Sequence, residues 1–288
     1  MTWHARLDLH YTTTPQGGTV GHDRHEGPLR VLKRLYPEGP AVCHHVLVHP
    51  PGGILSGDRL EVHARLDEGA HALLTTPGAT RLYRRGEGAA DAGWRAEQAV
   101  QAALAPGARL EWLPMETIAY RACVADTALR FTLAPGAEMI GWDVLALGLP
   151  ASDAPFGQGT LTQTVELPGV WLERGRLDGQ DTALLDGALG LAGRRVMALA
   201  WFAAGAPLAD ARREALLDAT RALPALQAAP LGDAPVVAAA TAPHPQVVVV
   251  RALAQRVEPA MALMQAVWSA WRPLAWGLPA HPPRVWRT

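Results

Sequence analysis

Arg59-Leu60-Glu61-Val62-His63-Ala64-Arg65-Leu66-Asp67-Glu68-Gly69-Ala70 alternates polar and apolar residues up to a glycine. Leu60, Val62, Ala64 and Leu66 fall on one side and Arg59, Glu61, His63 and Arg65 on the other. That period of two is the pattern of a half-buried strand. The run ends at Asp67-Glu68-Gly69-Ala70, a glycine-containing turn. The same ending recurs at Leu104-Ala-Pro-Gly-Ala108 and at Leu133-Ala-Pro-Gly-Ala137, each between two strand-like runs. The spacing is too uneven for a named repeat, yet recurring strand–turn units predict a mainly β protein of layered antiparallel sheets, solenoid-like in character.

Working outward, Leu129, Phe131 and Leu133 alternate with Arg130 and Thr132, and the Thr-rich run 160–167 alternates in the same way. Residues 246–253, with consecutive valines, read as a buried strand. Helical periodicity appears late and is expected to form a small C-terminal helical part. Leu208, Ala215, Leu216, Ala219 and Leu223 lie near one helix face, closed by Pro224. A second helix has Pro259 in its first turn, then Ala260, Leu263, Met264, Val267, Trp268 and Trp271 on one stripe, with Pro273 ending it. The Ala- and Pro-rich segment 225–245 reads as a loop crossing. Because the strand after it is too apolar to stand alone, residues 1–288 are expected to form a single unit.

The composition, 49% hydrophobic and 18% charged, is that of a folded globular chain and excludes a disordered one. A net charge of -1 leaves no global field for nucleic acid or an anionic membrane. The start, Met1-Thr-Trp-His-Ala-Arg6, lacks a secretory apolar stretch, and no run approaches the roughly 18 apolar residues of a membrane span, so a cytoplasmic location is expected. Cys43 and Cys123 are too few for a disulfide framework and are expected to be free thiols.

Potential chemistry is densest in Cys43-His-His-Val-Leu-Val-His49-Pro-Pro-Gly-Gly53 and on to Gly57-Asp58. Imidazole and thiolate suit nickel and zinc, and on a strand Cys43, His45 and His49 share a face. A metal-dependent enzyme built on these three is one reading; a buried strand with hydrogen-bonded histidines is the other. The Gly-rich turn lacks the GxxxxGK[ST] of a phosphate loop, so the chain shows no nucleotide motif of its own. Ser56 is not in a GxSxG elbow and no HExxH is present, which argues against serine and zinc hydrolases. Asp58, Glu111, Glu116, Asp143 and Asp153 are scattered carboxylates that serve equally as acid–base groups or as turn formers and ion pairs. Thr75-Thr-Pro-Gly-Ala-Thr-Arg-Leu-Tyr-Arg-Arg85 sets three positive charges beside hydroxyls, too short a cluster for nucleic acid.

Several of these segments together resemble the urease accessory protein D family, called H in some organisms. They are Gly27-Pro-Leu-Arg30 through Tyr36-Pro-Glu-Gly39, then Cys43-His44 with His49-Pro-Pro-Gly-Gly53 and Gly57-Asp58. Thr75 to Arg84, Leu110-Glu-Trp-Leu-Pro-Met-Glu-Thr-Ile118, Gly141-Trp-Asp143 up to Leu147-Gly148, and Pro283-Arg-Val-Trp286 follow in order. The resemblance implies a β-scaffold without a catalytic cycle, which binds the accessory protein F. That protein recruits the accessory GTPase G, and the assembly docks on the urease apoprotein. It further implies transient nickel with no tightly bound cofactor, and an interior route for the ion. Asp58 is then a candidate for lining that route, with Thr80, Glu116 and Asp143 beside it; Asp58 reads equally as a turn cap. The chain departs from the family pattern at Leu149, where Arg is usual, and at Arg81, where Lys is common.

Overall fold

Each of the three Gly-Ala turns carries the chain out of one sheet and into another. The computed structural model describes residues 2–84, 94–149, 152–227 and 234–287. In chain order the strands are β1 (His4–Thr13), β2 (Thr19–Glu26), β3 (Arg30–Leu35), β4 (Val42–Val48), β5 (Ile54–Leu55), β6 (Arg59–Leu66), β7 (His71–Thr75), β8 (Thr80–Tyr83) and β9 (Ala96–Leu104). There follow β10 (Arg109–Trp112), β11 (Thr117–Ala119), β12 (Val124–Leu133), β13 (Glu138–Leu149), β14 (Ala154–Pro155), β15 (Thr160–Leu167) and β16 (Trp171–Asp178). The rest are helix α1 (Thr182–Asp186), strand β17 (Val196–Ala204), helices α2 (Asp210–Arg221) and α3 (Pro224–Gln227), strands β18 (Val236–His244) and β19 (Val247–Ala254), and helix α4 (Val257–Trp276).

The first sheet runs β16-β15-β12-β9-β6-β1-β2, and the second runs β18-β19-β17-β13-β10-β7-β4-β3, with short strands β5, β8, β11 and β14 attached. The antiparallel expectation holds only at the margins. From β1 through β6, β9 and β12 to β15 the first sheet is parallel, as is the second from β4 through β7 and β10 to β13. The repeated turns explain this: β6 to β7, β9 to β10 and β12 to β13 are arches between sheets, so each new coil returns in the same direction.

Leu66, Leu104 and Leu133 are register neighbours, and so are His71, Arg109 and Glu138 beyond the arch. Gly69, Gly107 and Gly136 hold φ of 71°, 71° and 83°, the left-handed region that glycine enters without steric cost. The Gly69 amide donates to the Pro106 carbonyl of the next arch at 3.2 Å. The uneven repeat is therefore a stack of coils whose return segments differ in length.

Two cores result. Leu60, Val62, Leu129, Phe131 and Leu161 of the first sheet meet Leu110, Met139, Leu145 and Leu147 of the second. The second sheet's other face presents Ile140, Trp142, Val144 and Phe202 to Leu216 of α2 and to Met264, Val267, Trp268 and Trp271 of α4. β13 is thus buried on both faces, as expected of a parallel strand between layers. Gly141 is required there, because a Cβ would stand 2.3 Å from the Trp201 indole.

Two expectations are corrected at the C-terminal end. Most of the described part of segment 225–245 is not a loop: β18 pairs antiparallel with β19, with a register shift between Thr241 and His244 that sets Pro243 in the irregular part of an edge strand. Pro273 does not end α4. The helix continues through one further turn to Gly277, whose φ of 67° and amide bond to the Pro273 carbonyl at 2.8 Å terminate it.

Under α4 lies a buried ionic cluster. Glu111, on the outward face of β10, accepts from Trp268 and Arg272, and shares a hydrogen bond with His71 at 2.8 Å. Arg272 also meets Glu38 at 2.7 Å, and Glu38 in turn meets His44 at 2.7 Å. Burial alone would push the Glu111 carboxyl up, but His71, Arg272 and Trp268 together hold it below the usual carboxylate range. The cluster fastens the helix to the sheet.

Candidate functional site: a cavity between the sheets

Between the two sheets, toward the Gly-rich turn at residues 50–53, the apolar core gives way to a half-open cavity of about 370 Å³. Its floor, on the inward face of the first sheet, sets Gln98 and Thr127 among Leu60, Val62 and Leu129, and Gln163 continues their line beyond it. Gln98 of β9, Thr127 of β12 and Gln163 of β15 occupy one register line. Strand alternation places them there, because Val100, Leu129 and Val165 are buried on the same side two positions on.

Asp143 faces this row from β13. The Gln163 amide donates to Asp143 Oδ2 at 2.7 Å and links the two sheets. Burial pushes the Asp143 carboxyl up from 3.8 to about 6, with the Gln163 bond and the Val144 amide opposing. At neutral pH the cavity therefore holds a carboxylate maintained against its desolvation cost. Around the opening, Thr76, Thr80 and Arg81 line one wall and His49 and Pro50 another. The Tyr83 ring packs against Gly53, where a Cβ would stand 2.4 Å from it, and Tyr83 and Tyr120 rings lie 4.3 Å apart.

The structure gathers some sequence candidates and separates others. Thr80, Asp143 and His49 all line the cavity. Asp58 does not: its Oδ1 accepts from the Trp3 amide at 2.8 Å and its Oδ2 from the Leu55 amide at 2.9 Å, which makes it the cap of the turn before β6. Glu116 lies in a different groove, shared with Leu149, Arg256 and Trp286, and its Oε2 has no hydrogen-bond partner.

Cys43 and His45 share the inward face of β4 as alternation requires, but His49 lies beyond the strand's end at Val48 and is turned into the cavity. The proposed trio is thus not assembled, and among the described residues no three His, Cys, Asp or Glu side chains are grouped to hold a metal ion. Cys43 and His45 instead pack under Gly21, where an added Cβ would stand 2.8 Å from the imidazole and 3.0 Å from the thiol sulfur. His45 Nδ1 shares a 2.8 Å hydrogen bond with the Tyr11 hydroxyl, and burial pushes its pKa down to about 4. Burial likewise pushes the Cys43 thiol up, and Cys123 is pushed up to about 12; both cysteines are free. Arg85 of the basic run lies outside the described residues.

Sequence reasoning missed Gln98, Thr127 and Gln163. The available signal was a polar residue at an inward position of an alternating strand, repeated on neighbouring coils.

A family model described as UreD urease accessory protein matches residues 4–287, which takes in both sheets, the cavity and α4. The chain belongs to the UreD family. Relatives named urease accessory protein UreD are similar along its whole length: 56% identical in Leptothrix cholodnii over 100% of both chains, and 54% identical in Paracidovorax citrulli over 99% of both. A third, from Methylibium petroleiphilum, is 52% identical over 100% of both chains. A UreD chain of this build has no helix, among its described residues, long and apolar enough to cross a membrane.

Proposed function

We propose that this chain is a non-catalytic assembly factor for urease that helps deliver nickel to the apoenzyme, and that the inter-sheet cavity is the stretch of the ion's route inside it. The observation that carries the reading is Asp143, a carboxylate in a half-open, largely apolar cavity whose other polar groups include Gln98, Thr80, Thr127, His49 and Arg81. Hard oxygen donors hold a hydrated divalent ion loosely, and a conduit needs release as much as capture. Nickel is the cargo and no resident cofactor is invoked.

The family description supports the maturation role, and the relatives' names carry it to urease. The chain works in the cytoplasm in a complex with accessory protein F, which binds it directly. The accessory GTPase G joins through F, and the urease apoprotein receives the ion. The sequence has no GxxxxGK[ST] motif, so in this account nucleotide turnover belongs to a separate chain.

The test is urease specific activity and bound nickel in nickel-fed cells carrying the complete urease gene cluster, with and without this chain. Both collapse without it and return when it is restored. Unchanged activity and nickel would overturn the reading, and turnover of a substrate by the purified chain alone, lost on chelation, would favour a metalloenzyme.

A further inference from the structure

The outer face of the first sheet, turned away from the cavity, concentrates imidazoles. Ala5, Leu7, Leu9 and Tyr11 take the inward positions of β1, so His4, Asp8 and His10 project outward. His22 stands directly opposite His10 in the β1–β2 register, and His63 is paired with Asp8 across β1–β6. The His10 and His22 rings lie 6.2 Å apart, inclined at 45°. A groove of about 410 Å³ passes over them, with Arg24 and Arg65 on its rim. His22 Nε2 shares a 3.5 Å hydrogen bond with the Thr12 hydroxyl.

Carboxylates orient the neighbouring rings. His10 Nε2 meets Asp67 Oδ2 at 2.9 Å, His63 Nδ1 meets Asp8 Oδ1 at 3.3 Å, and His4 Nε2 meets Glu61 Oε2 at 3.2 Å. A carboxylate on one imidazole nitrogen fixes the tautomer and makes the other nitrogen a better donor to a metal, the arrangement common around ligating histidines. With Nε2 of His10 donating to Asp67, its Nδ1 carries the free lone pair. Arg65 Nε on the rim reaches Asp67 Oδ1 at 3.2 Å, and Arg6, outside the groove, takes Asp8 at 2.8 Å.

We infer that His10 and His22 form a surface chelate for one divalent ion of the nickel, copper and zinc class. Two metal–nitrogen bonds of about 2.0–2.1 Å bring imidazole centroids to roughly 4.5–5 Å, so the rings must close by about 1–2 Å through side-chain rotation from the 6.2 Å observed. Imidazole nitrogen suits these borderline ions and not calcium or magnesium. With two protein ligands and water completing the shell, the site exchanges its ion readily. It lies on the face opposite the cavity and does not depend on the cavity's role.

The test is titration of the full-length metal-free chain with Cu²⁺, followed by electron paramagnetic resonance, and with Ni²⁺, followed by calorimetry. Both are done on a His4→Ala background so that the imidazole nearest the amino terminus does not compete. The expected result is one ion per chain with nitrogen superhyperfine splitting from two imidazoles. Adding His10→Ala or His22→Ala lowers the affinity at least tenfold and removes at least one nitrogen from the spectrum, while circular dichroism stays unchanged because both side chains are at the surface. Affinity and splitting that survive both substitutions, or no binding below millimolar ion, would overturn the inference. An Asp143→Asn chain retains this site, so loss of the cavity route and loss of the chelate are separable.

Discussion

Replacing Asp143 by asparagine sets the cost of a carboxylate between two sheets against its use. The folded chain binds the Asp143 proton more tightly than the unfolded chain, because burial raises its pKa from 3.8 to about 6. The associated stability is fully present below 3.8 and is lost as pH rises through about 6. That difference corresponds to about 3 kcal/mol at neutral pH, reduced to about 1–3 kcal/mol because the cavity opens to solvent. Asparagine keeps an acceptor for the Gln163 amide and removes the charge. Urea unfolding should therefore show Asp143→Asn more stable than the parent by about 1–3 kcal/mol at pH 7.5 and nearly equal to it at pH 4. The same variant should lower nickel bound by co-expressed urease several-fold. A stability gain that is absent at pH 7.5, or equal at the two pH values, would refute the reasoning about the carboxylate.

Arg272→Ala leaves Glu111 and Glu38 buried without their cation and should cost about 3–5 kcal/mol, read from the urea midpoint and from loss of α4 protection in hydrogen exchange. Gly107→Ala forces a side chain into the left-handed region in the middle arch and should cost about 1–2 kcal/mol, whereas Gly78→Ala, with open space around it, should change stability by less than about 0.5 kcal/mol. Asp58→Ala strands the Trp3 and Leu55 amides and should cost about 1–3 kcal/mol.

The faces of the strands were legible because alternation is local. Leu60 to Leu66 and Leu129 to Leu133 sit as their pattern requires. Pairing direction was not legible, since alternation tells which side chains are inward and nothing about which strand lies alongside. A positive-φ glycine suits a hairpin as well as an arch, and only the long-range pairing of β6 with β9 and β12, and of β7 with β10 and β13, makes these turns arches. β18 escaped notice because an alanine-rich edge strand has low intrinsic β preference and is held by β19. At the site, Asp143 and Thr80 were named through family resemblance, while the polar row that faces Asp143 was readable as Gln98, Thr127 and Gln163 on inward positions. Strand periodicity puts Cys43, His45 and His49 on one face only if it runs past Val48, where the strand stops.

If the ion passes between the sheets, filling that space must stop it. Thr127 lies on the cavity floor, so Thr127→Trp places an indole in the 370 Å³ void without touching the outer faces. The measurement is nickel per active site in urease matured with this variant, alongside confirmation that the variant folds and still joins the accessory complex. An ion route through the cavity predicts an intact complex and a several-fold loss of nickel. An intact complex that loads urease fully would contradict it.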